Sequence, residues 1–356
     1  MRAGPLVTIC LPTYNRAPML RNSLQTICAQ DYEPLEILIS DDASTDGTEE
    51  LCRELSQADH RIRYVRQAGR LGLYPNHNFC LNESRGEFVC LFHDDDQHHP
   101  RLISESAAFL LRHSEVGLVC SDWDLLDEAG VQVGVRDHDV PEVMPGLGYI
   151  SQTIRSGRSS VGCPGAMIRR SALGSVRFRE DGPIGFADFV VWFQIAEHAS
   201  VGHIKQRLWR YRVHPRSFSR RTIESLTHDY FENLNRYCDE HLLRQPEHAA
   251  LVQRWRTDIN HYLFWALAYE LGLHFRRARA GHAREAFHRS VFEITDYSLT
   301  PEEVQRVREQ LRRYKSGPFQ SAAFVLLELL LQLRLTRPLA WISLYAGSVR
   351  GLLGLK

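Results

Sequence analysis

The sequence predicts an α/β fold with a mainly parallel central sheet, followed by a helical C-terminal region. Three observations carry that expectation. Between Leu6 and Ser121, short apolar runs alternate with amphipathic stretches, the rhythm of successive βα units. The runs are nearly continuously apolar rather than alternating, as strands covered by helices on both faces must be. Beyond Arg221 no β-type run remains, and apolar positions recur at helical spacing.

The elements follow in order. Residues 6–11 (LVTICL), 35–40 (LEILIS), 61–65 (RIRYV), 87–92 (EFVCLF) and 116–121 (VGLVCS) read as strands. Residues 17–29, 45–57, 74–84 and 100–112 read as the helices between them. From Leu125 to Gly182 the pattern loosens into Gly, Pro and Ser-rich loops of the kind that shape substrate pockets, with one strand and turn around Cys163–Arg169. A helix is expected over Ala187–Ala196 and a strand over Val201–Arg212. Further helices are expected over 226–243, 250–275 and 304–314. The division drawn from this pattern is a domain over residues 1–220 and a helical region over 221–356.

Composition narrows the class. The 356 residues suffice for a large domain with an appendage, and Lys plus Arg (43) equal Asp plus Glu (43), so no overall field favours nucleic acid as a partner. The eight cysteines are scattered through apolar runs with no CxxC pair, which reads as reduced core thiols in a cytoplasmic protein. The stretch before the first strand is too short for a secretion signal. Phe319–Leu335 and Pro338–Leu355 are very apolar, but Glu328, Arg334, Arg337 and Arg350 interrupt them, so a spanning helix is not expected. Buried or dimer-forming helices, or a peripheral membrane contact with Trp341 and Tyr345 at the lipid boundary, are the two readings of that tail.

In a parallel sheet, ligands bind beyond the carboxyl ends of the strands. Three polar clusters lie there: Pro12-Thr13-Tyr14-Asn15 after the first strand, Asp41 to Asp46 after the second, and His93 to His99 after the fourth. Asp94, Asp95 and Asp96 repel one another unless a cation or solvent takes up their charge. The Asp94-x-Asp96 spacing suits one Mg²⁺ or Mn²⁺ with coordination positions left for a diphosphate. An acidic turn capping the next helix is the structural alternative. His93, His98 and His99 raise zinc, but oxygen ligands around diphosphate favour the harder cations.

Residues 7–48 (VTICLPTYNRAPMLRNSLQTICAQDYEPLEILISDDASTDGT), with CLFHDDDQHHP after the fourth strand, resemble the inverting family 2 glycosyltransferases of GT-A fold. The resemblance runs over roughly residues 5–220. It implies transfer of a sugar from a nucleotide-diphospho-sugar to an acceptor hydroxyl, with inversion and a divalent cation, Mn²⁺ or Mg²⁺. Pro12, Thr13, Tyr14 and Asn15 would line the nucleotide pocket, with Tyr14 against the base. Asp42 would accept a hydrogen bond from the base, as in uracil-binding members, while Asp46 is assigned to structure. Arg70 and Asn78 would face the donor. In the acidic run, relatives carry an aspartate where this chain has His93. Counting back from Pro100 selects Asp95 and Asp96, whereas the Asp-x-Asp spacing selects Asp94 and Asp96. The catalytic base would be Asp188, in Phe186-Ala187-Asp188, where Ala187 replaces the family's glutamate; the Glu180-Asp181 pair reads as the turn before the pocket. In the segment after Tyr211, His214 would bind metal or phosphate, and Arg216, Ser217 and Arg220 would neutralise charge.

The acceptors implied are a growing polysaccharide, an O-antigen or a glycolipid, at or near the inner face of the cell membrane. Two alternatives belong to other classes. A sugar nucleotidyltransferase would need a Gly-rich triphosphate loop near the first strand, and LPTYNRAPML has no glycine. A noncatalytic nucleotide-sugar-binding or assembly protein is compatible with Ala187 and the helical tail.

Overall fold

The computed structural model describes residues 4–156, 158–182, 184–214, 223–244, 246–257 and 309. The described residues fall into two compact units. The first takes residues up to Ile150, Ser159–Gly182 and the chain from Ala187 to His214; the second takes residues of 151–158 and 183–186 and those from 216 onward.

The first unit is built on β1 (Val7–Thr13), β2 (Leu35–Asp41), β3 (Ile62–Arg66), β4 (Phe88–Leu91), β5 (Gln97–His98), β6 (Val116–Leu126), β7 (Gln132–Arg136), β8 (Val143–Met144), β9 (Met167–Arg169) and β10 (Ser200–Arg212). Their order is β3-β2-β1-β4-β9-β6-β10-β5, with β7 on β6 and β8 on β10. Strands β3, β2, β1 and β4 are parallel, and β6 and β10 continue in the same direction. Between these groups β9 runs antiparallel to both β4 and β6. Each strand run read from the sequence is present, and the sheet is mostly parallel as expected. The reversed direction of β9, whose strand was expected, and the added strands β5, β7 and β8 are what the sequence did not show; β5 and β8 have two residues each and β7 five, mostly exposed or half-buried, which leaves too little apolar pattern to be read.

Helices α1 (Ala17–Cys28), α2 (Thr48–Ala58), α3 (Leu73–Glu83) and α4 (Leu102–Arg112) connect the first strands. Leu20, Leu24 and Ile27 of α1 recur at one-turn spacing and are buried in one core with Val7, Ile9 and Leu11 of β1. Every residue of β1 is buried, which explains its unbroken apolar run. After α5 (Gly146–Ser156) and the single-turn α6 (Arg170–Leu173) comes α7 (Ala187–Ala196), buried around almost its whole circumference. All eight cysteines are free and seven are buried, consistent with core thiols.

Two glycines are dictated by close approach. A Cβ on Gly86 would stand 2.5 Å from Thr8 N and from Phe88 O, so only glycine lets the chain enter β4 against β1. A Cβ on Gly165 would stand 2.2 Å from Trp209 Nε1, so the Cys163–Gly165 turn lies flat on that indole.

In the second unit, α8 (Ile223–Glu240) buries Tyr230, Leu234, Tyr237 and Cys238. Asp229 Oδ2 accepts the Gly185 N–H at 2.8 Å, and Asn233, one turn on, donates to the Gly185 carbonyl at 2.5 Å. Trp255 Nε1 donates to Ser151 Oγ at 3.1 Å. The helix expected over 226–243 corresponds to α8. The expected helix at 304–314, except residue 309, and the apolar segments from Phe319 lie outside the described residues. Among the described residues, no helix is long and apolar enough to cross a membrane.

Candidate active site

Strands β1, β2 and β4 end side by side, and their polar loops are bonded to one another. The Asp42 N–H donates to Thr13 O at 2.9 Å, and Phe92 N–H donates to Cys10 O at 2.9 Å. Asn15, with φ of 50°, sits in the left-handed region that asparagine tolerates, accepts the Thr45 N–H on its side-chain oxygen and donates its own N–H to Ser44 Oγ. Ala43 adopts φ of 60° without such an excuse, a strained residue of the kind that clusters at binding loops. Asp46 accepts from Ala17 N and Thr48 N, which gives it the structural role expected of it.

Asp42 is buried, and its two oxygens accept the backbone N–H groups of Leu71 (2.5 Å) and Gly72 (3.0 Å). It therefore fastens the loop that carries Arg70. The Arg70 guanidinium lies over the Tyr14 ring, 4.2 Å from its centroid, so a cation already covers the ring read as the base platform. Asn78 is buried on α3, and its amide is committed to one partner segment. Its Oδ1 accepts Phe178 N–H at 2.9 Å, and its Nδ2 donates to Phe178 O at 2.8 Å and to Glu180 Oε1 at 3.1 Å. This geometry makes Asn78 an anchor for the 178–180 turn rather than a free amide. Replacing it with alanine orphans a buried backbone N–H and C=O, so Asn78→Ala should lower stability by about 1–3 kcal/mol in denaturant titration.

The acidic run follows β4. Thr13 Oγ1 donates to Asp94 Oδ2 at 2.7 Å, which ties the end of β1 to the run. Arg16 pairs with both Asp94 and Asp95. His214, buried just beyond β10, holds Asp95 Oδ2 through Nε2 at 3.0 Å. Asp96 is fully buried: Oδ1 accepts the Arg212 N–H at 2.8 Å, but Oδ2 has no hydrogen-bond partner. His93 Nδ1 stands 3.6 Å from that orphan oxygen. Single ligand atoms of His93, Asp95 and Asp96 lie within 4.8 Å of one another, which groups Asp95 with Asp96 and leaves Asp94 to Thr13 and Arg16.

The electrostatics follow from crowding three carboxyls out of water. Burial, then the Asp95 charge, pushes Asp94 up to about 7, and the same two causes push Asp96 well above the carboxylate range. At Asp95 burial works in the same direction, but the His214 hydrogen bond and the His93, Arg16 and His214 charges prevail and hold it down to about 2. Burial pushes the His93 imidazole down, against the pull of Asp95, and so favours the neutral ring that can ligate a metal. An unsatisfied buried carboxylate oxygen beside a neutral imidazole and a second carboxylate fits a divalent cation: the donor set is right, and the cation would supply the missing partner.

Asp188 is the second residue of α7, half-buried, two positions after Phe186, whose φ of 62° is again strained. Burial pushes its carboxyl up to about 6, opposed by backbone N–H bonds at the helix start. Cys163 feels both ends of the site: burial raises its thiol, and the charges of Asp188 and Asp96 raise it further. Sequence reasoning passed over Arg16, Arg212 and Cys163. The signal for Arg16 was a cation directly after Tyr14-Asn15 at a strand end; Arg212 acts through its backbone, which no side-chain pattern reveals. His98 is structural, stacked on Phe92 with centroids 3.8 Å apart and Nε2 3.2 Å from Pro164 O. Ser217, Arg216 and Arg220 lie outside the described residues.

Residues 8–176 match the family described as Glycosyl transferase family 2. The chain is 27% identical over 228 residues to the putative glycosyltransferase EpsE of Bacillus subtilis (strain 168), over 63% of this chain and 78% of that protein. It is 34% identical over 114 residues to the GalNAc(5)-diNAcBac-PP-undecaprenol beta-1,3-glucosyltransferase of Campylobacter jejuni, over 32% of this chain and only 36% of that protein's length. The fold is similar to that of Staphylococcus aureus TarS 1-349 in complex with UDP-GlcNAc, with a TM-score of 0.56 at 16% identity, over 96% of this chain and 89% of that one.

Proposed function

We propose that this chain is a family 2 glycosyltransferase that moves a sugar, with inversion, from a nucleotide-diphospho-sugar to a hydroxyl of a growing polysaccharide, O-antigen or glycolipid. The donor is a UDP-sugar by preference, the reaction uses Mn²⁺ or Mg²⁺, and the enzyme works at the cytoplasmic face of the membrane. Residues 1–220 are proposed as the transferase domain, and 221–356 as a helical region for membrane contact or self-association. The observation that carries the reading is the orphan Asp96 Oδ2 within reach of His93 and Asp95 at the end of β4, next to the loops that follow β1 and β2. The TarS complex with UDP-GlcNAc and the Campylobacter protein's undecaprenol-linked acceptor support the donor and acceptor classes.

Asp95 and Asp96 would hold the cation, with His93 as a further ligand and His214 holding Asp95 in place. The bound cation would offset the charge that develops on the departing nucleoside diphosphate. Arg16, which pairs with Asp94 and Asp95, would supply positive charge to a phosphate oxygen. Tyr14 and Arg70 would hold the base between ring and guanidinium, on a loop that Asp42 keeps in place. Asp188 would take the acceptor hydroxyl's proton as the carbon–oxygen bond forms; a carboxyl shifted to about 6 is a base at neutral pH yet keeps a useful affinity for the proton.

The test is thermal stabilisation of the full chain by a panel of nucleotide sugars, with and without Mn²⁺, followed by turnover with the best donor. A UDP-sugar should raise the melting temperature only when Mn²⁺ is present. Equal stabilisation without metal would remove the cation from the reading, and a preference for GDP- or dTDP-sugars would correct the base.

A further inference from the structure

A second group of metal-ligating side chains lies in the sheet itself. Asp122 is on β6, His203 is on the neighbouring β10, and His138 comes from the loop after β7. His203 Nε2 stands 2.9 Å from Asp122 Oδ1, and His138 Nδ1 stands 3.1 Å from the same oxygen. One ligand atom from each residue lies within 4.8 Å of the other two. Asp122 and His203 are buried and His138 is half-buried. The group is distinct from the acidic run. Asp122 lies four residues before Leu126, which pairs with Arg212, the partner of Asp96, and that is about 13 Å along a strand.

The geometry gathers the nitrogens on one oxygen of the carboxylate. The His138 backbone N–H also donates to Asp122 Oδ1, at 2.9 Å. Three nitrogens therefore converge on one carboxylate oxygen, which has two lone pairs. A cation shared among the three side chains would take the place of the two imidazole hydrogen bonds and leave the backbone N–H bond in place. The backbone is adapted here as well. Pairing steps from Ile204↔Ser121 to Arg207↔Asp122, so β10 bulges opposite the carboxylate, a device that re-aims side chains.

We propose that Asp122, His138 and His203 bind one divalent transition-metal ion, zinc by preference, at a site separate from the acidic run, where it clamps the loop after β7 to β6 and β10. Two imidazoles and one carboxylate suit zinc, whereas Mg²⁺ prefers an all-oxygen shell. With three protein ligands, the fourth position of a tetrahedron is left to water.

The experiment uses the full chain stripped with a chelator, incubated with Zn²⁺ or Mg²⁺ alone, desalted and assayed for retained metal. Wild type and Asp96→Asn should each keep one zinc per chain and no magnesium. His138→Ala, a change on a half-exposed loop, should lower zinc affinity by about a hundredfold or more. His138→Cys supplies a replacement ligand and should restore retention, which separates ligand loss from misfolding. Failure of wild type to retain zinc overturns the proposal. So does unchanged zinc affinity in His138→Ala, or zinc that is lost in Asp96→Asn.

Discussion

Asp188→Asn should leave a folded protein that binds donor and cation but transfers sugar about a thousandfold more slowly, the usual contribution of a positioned general base. The same change should raise stability. The Asp188 carboxyl is raised from 3.8 to about 6 in the fold, so folding is helped by its proton. That help is complete below the unfolded value and is lost as pH rises through about 6. At neutral pH wild type therefore carries a buried charge that asparagine lacks, and Asp188→Asn should be more stable by on the order of 1–3 kcal/mol, with the difference vanishing toward pH 4. Transfer by wild type should follow the opposite slope: activity rises through about pH 6 as the base loses its proton. Denaturant midpoints at pH 4.5 and 7.5 and a pH–rate profile read the two effects separately. Transfer that survives in Asp188→Asn would assign the base elsewhere, whatever its stability.

The second large effect is expected at Asp96. Asparagine keeps the oxygen that accepts the Arg212 N–H but puts an NH2 group, which cannot ligate a cation, where the orphan Oδ2 stands. Asp96→Asn should therefore fold, because the hydrogen bond to the Arg212 N–H is kept in a side chain of the same shape. Its Mn²⁺-dependent transfer should fall by about a thousandfold or more, since Lewis-acid stabilisation of a leaving diphosphate is worth several kcal/mol. Isothermal titration with Mn²⁺ across Asp94→Asn, Asp95→Asn and Asp96→Asn also decides the register. The geometry expects the losses at Asp95 and Asp96; a loss at Asp94 with Asp95 spared would favour the alternate spacing instead.

Much of this was legible in one dimension because strands and polar clusters are local. An apolar run such as Phe88–Leu91 followed by Asp94, Asp95 and Asp96 announces both a buried strand and a charged strand end. The general rule for parallel sheets then gathers the ends of β1, β2 and β4. The division among the three aspartates was not legible, because it depends on partners far along the chain: Thr13 for Asp94, His214 for Asp95, and the backbone of Arg212 for Asp96. The same distance in sequence hid the second metal-ligating group, whose members come from β6, the loop after β7 and β10.

The sequence by itself determined the α/β class, the family resemblance and the edge of the sheet where polar residues collect, since these follow from hydrophobic period and short motifs. Only the tertiary structure decided that β9 runs against its neighbours, that Asp42 and Asn78 hold loops, and that one oxygen of Asp96 is left without a partner. The physical reason is that burial and hydrogen-bond satisfaction are properties of packed neighbours. A residue type states what a side chain can bond, and only the fold determines which of those bonds remain to be made.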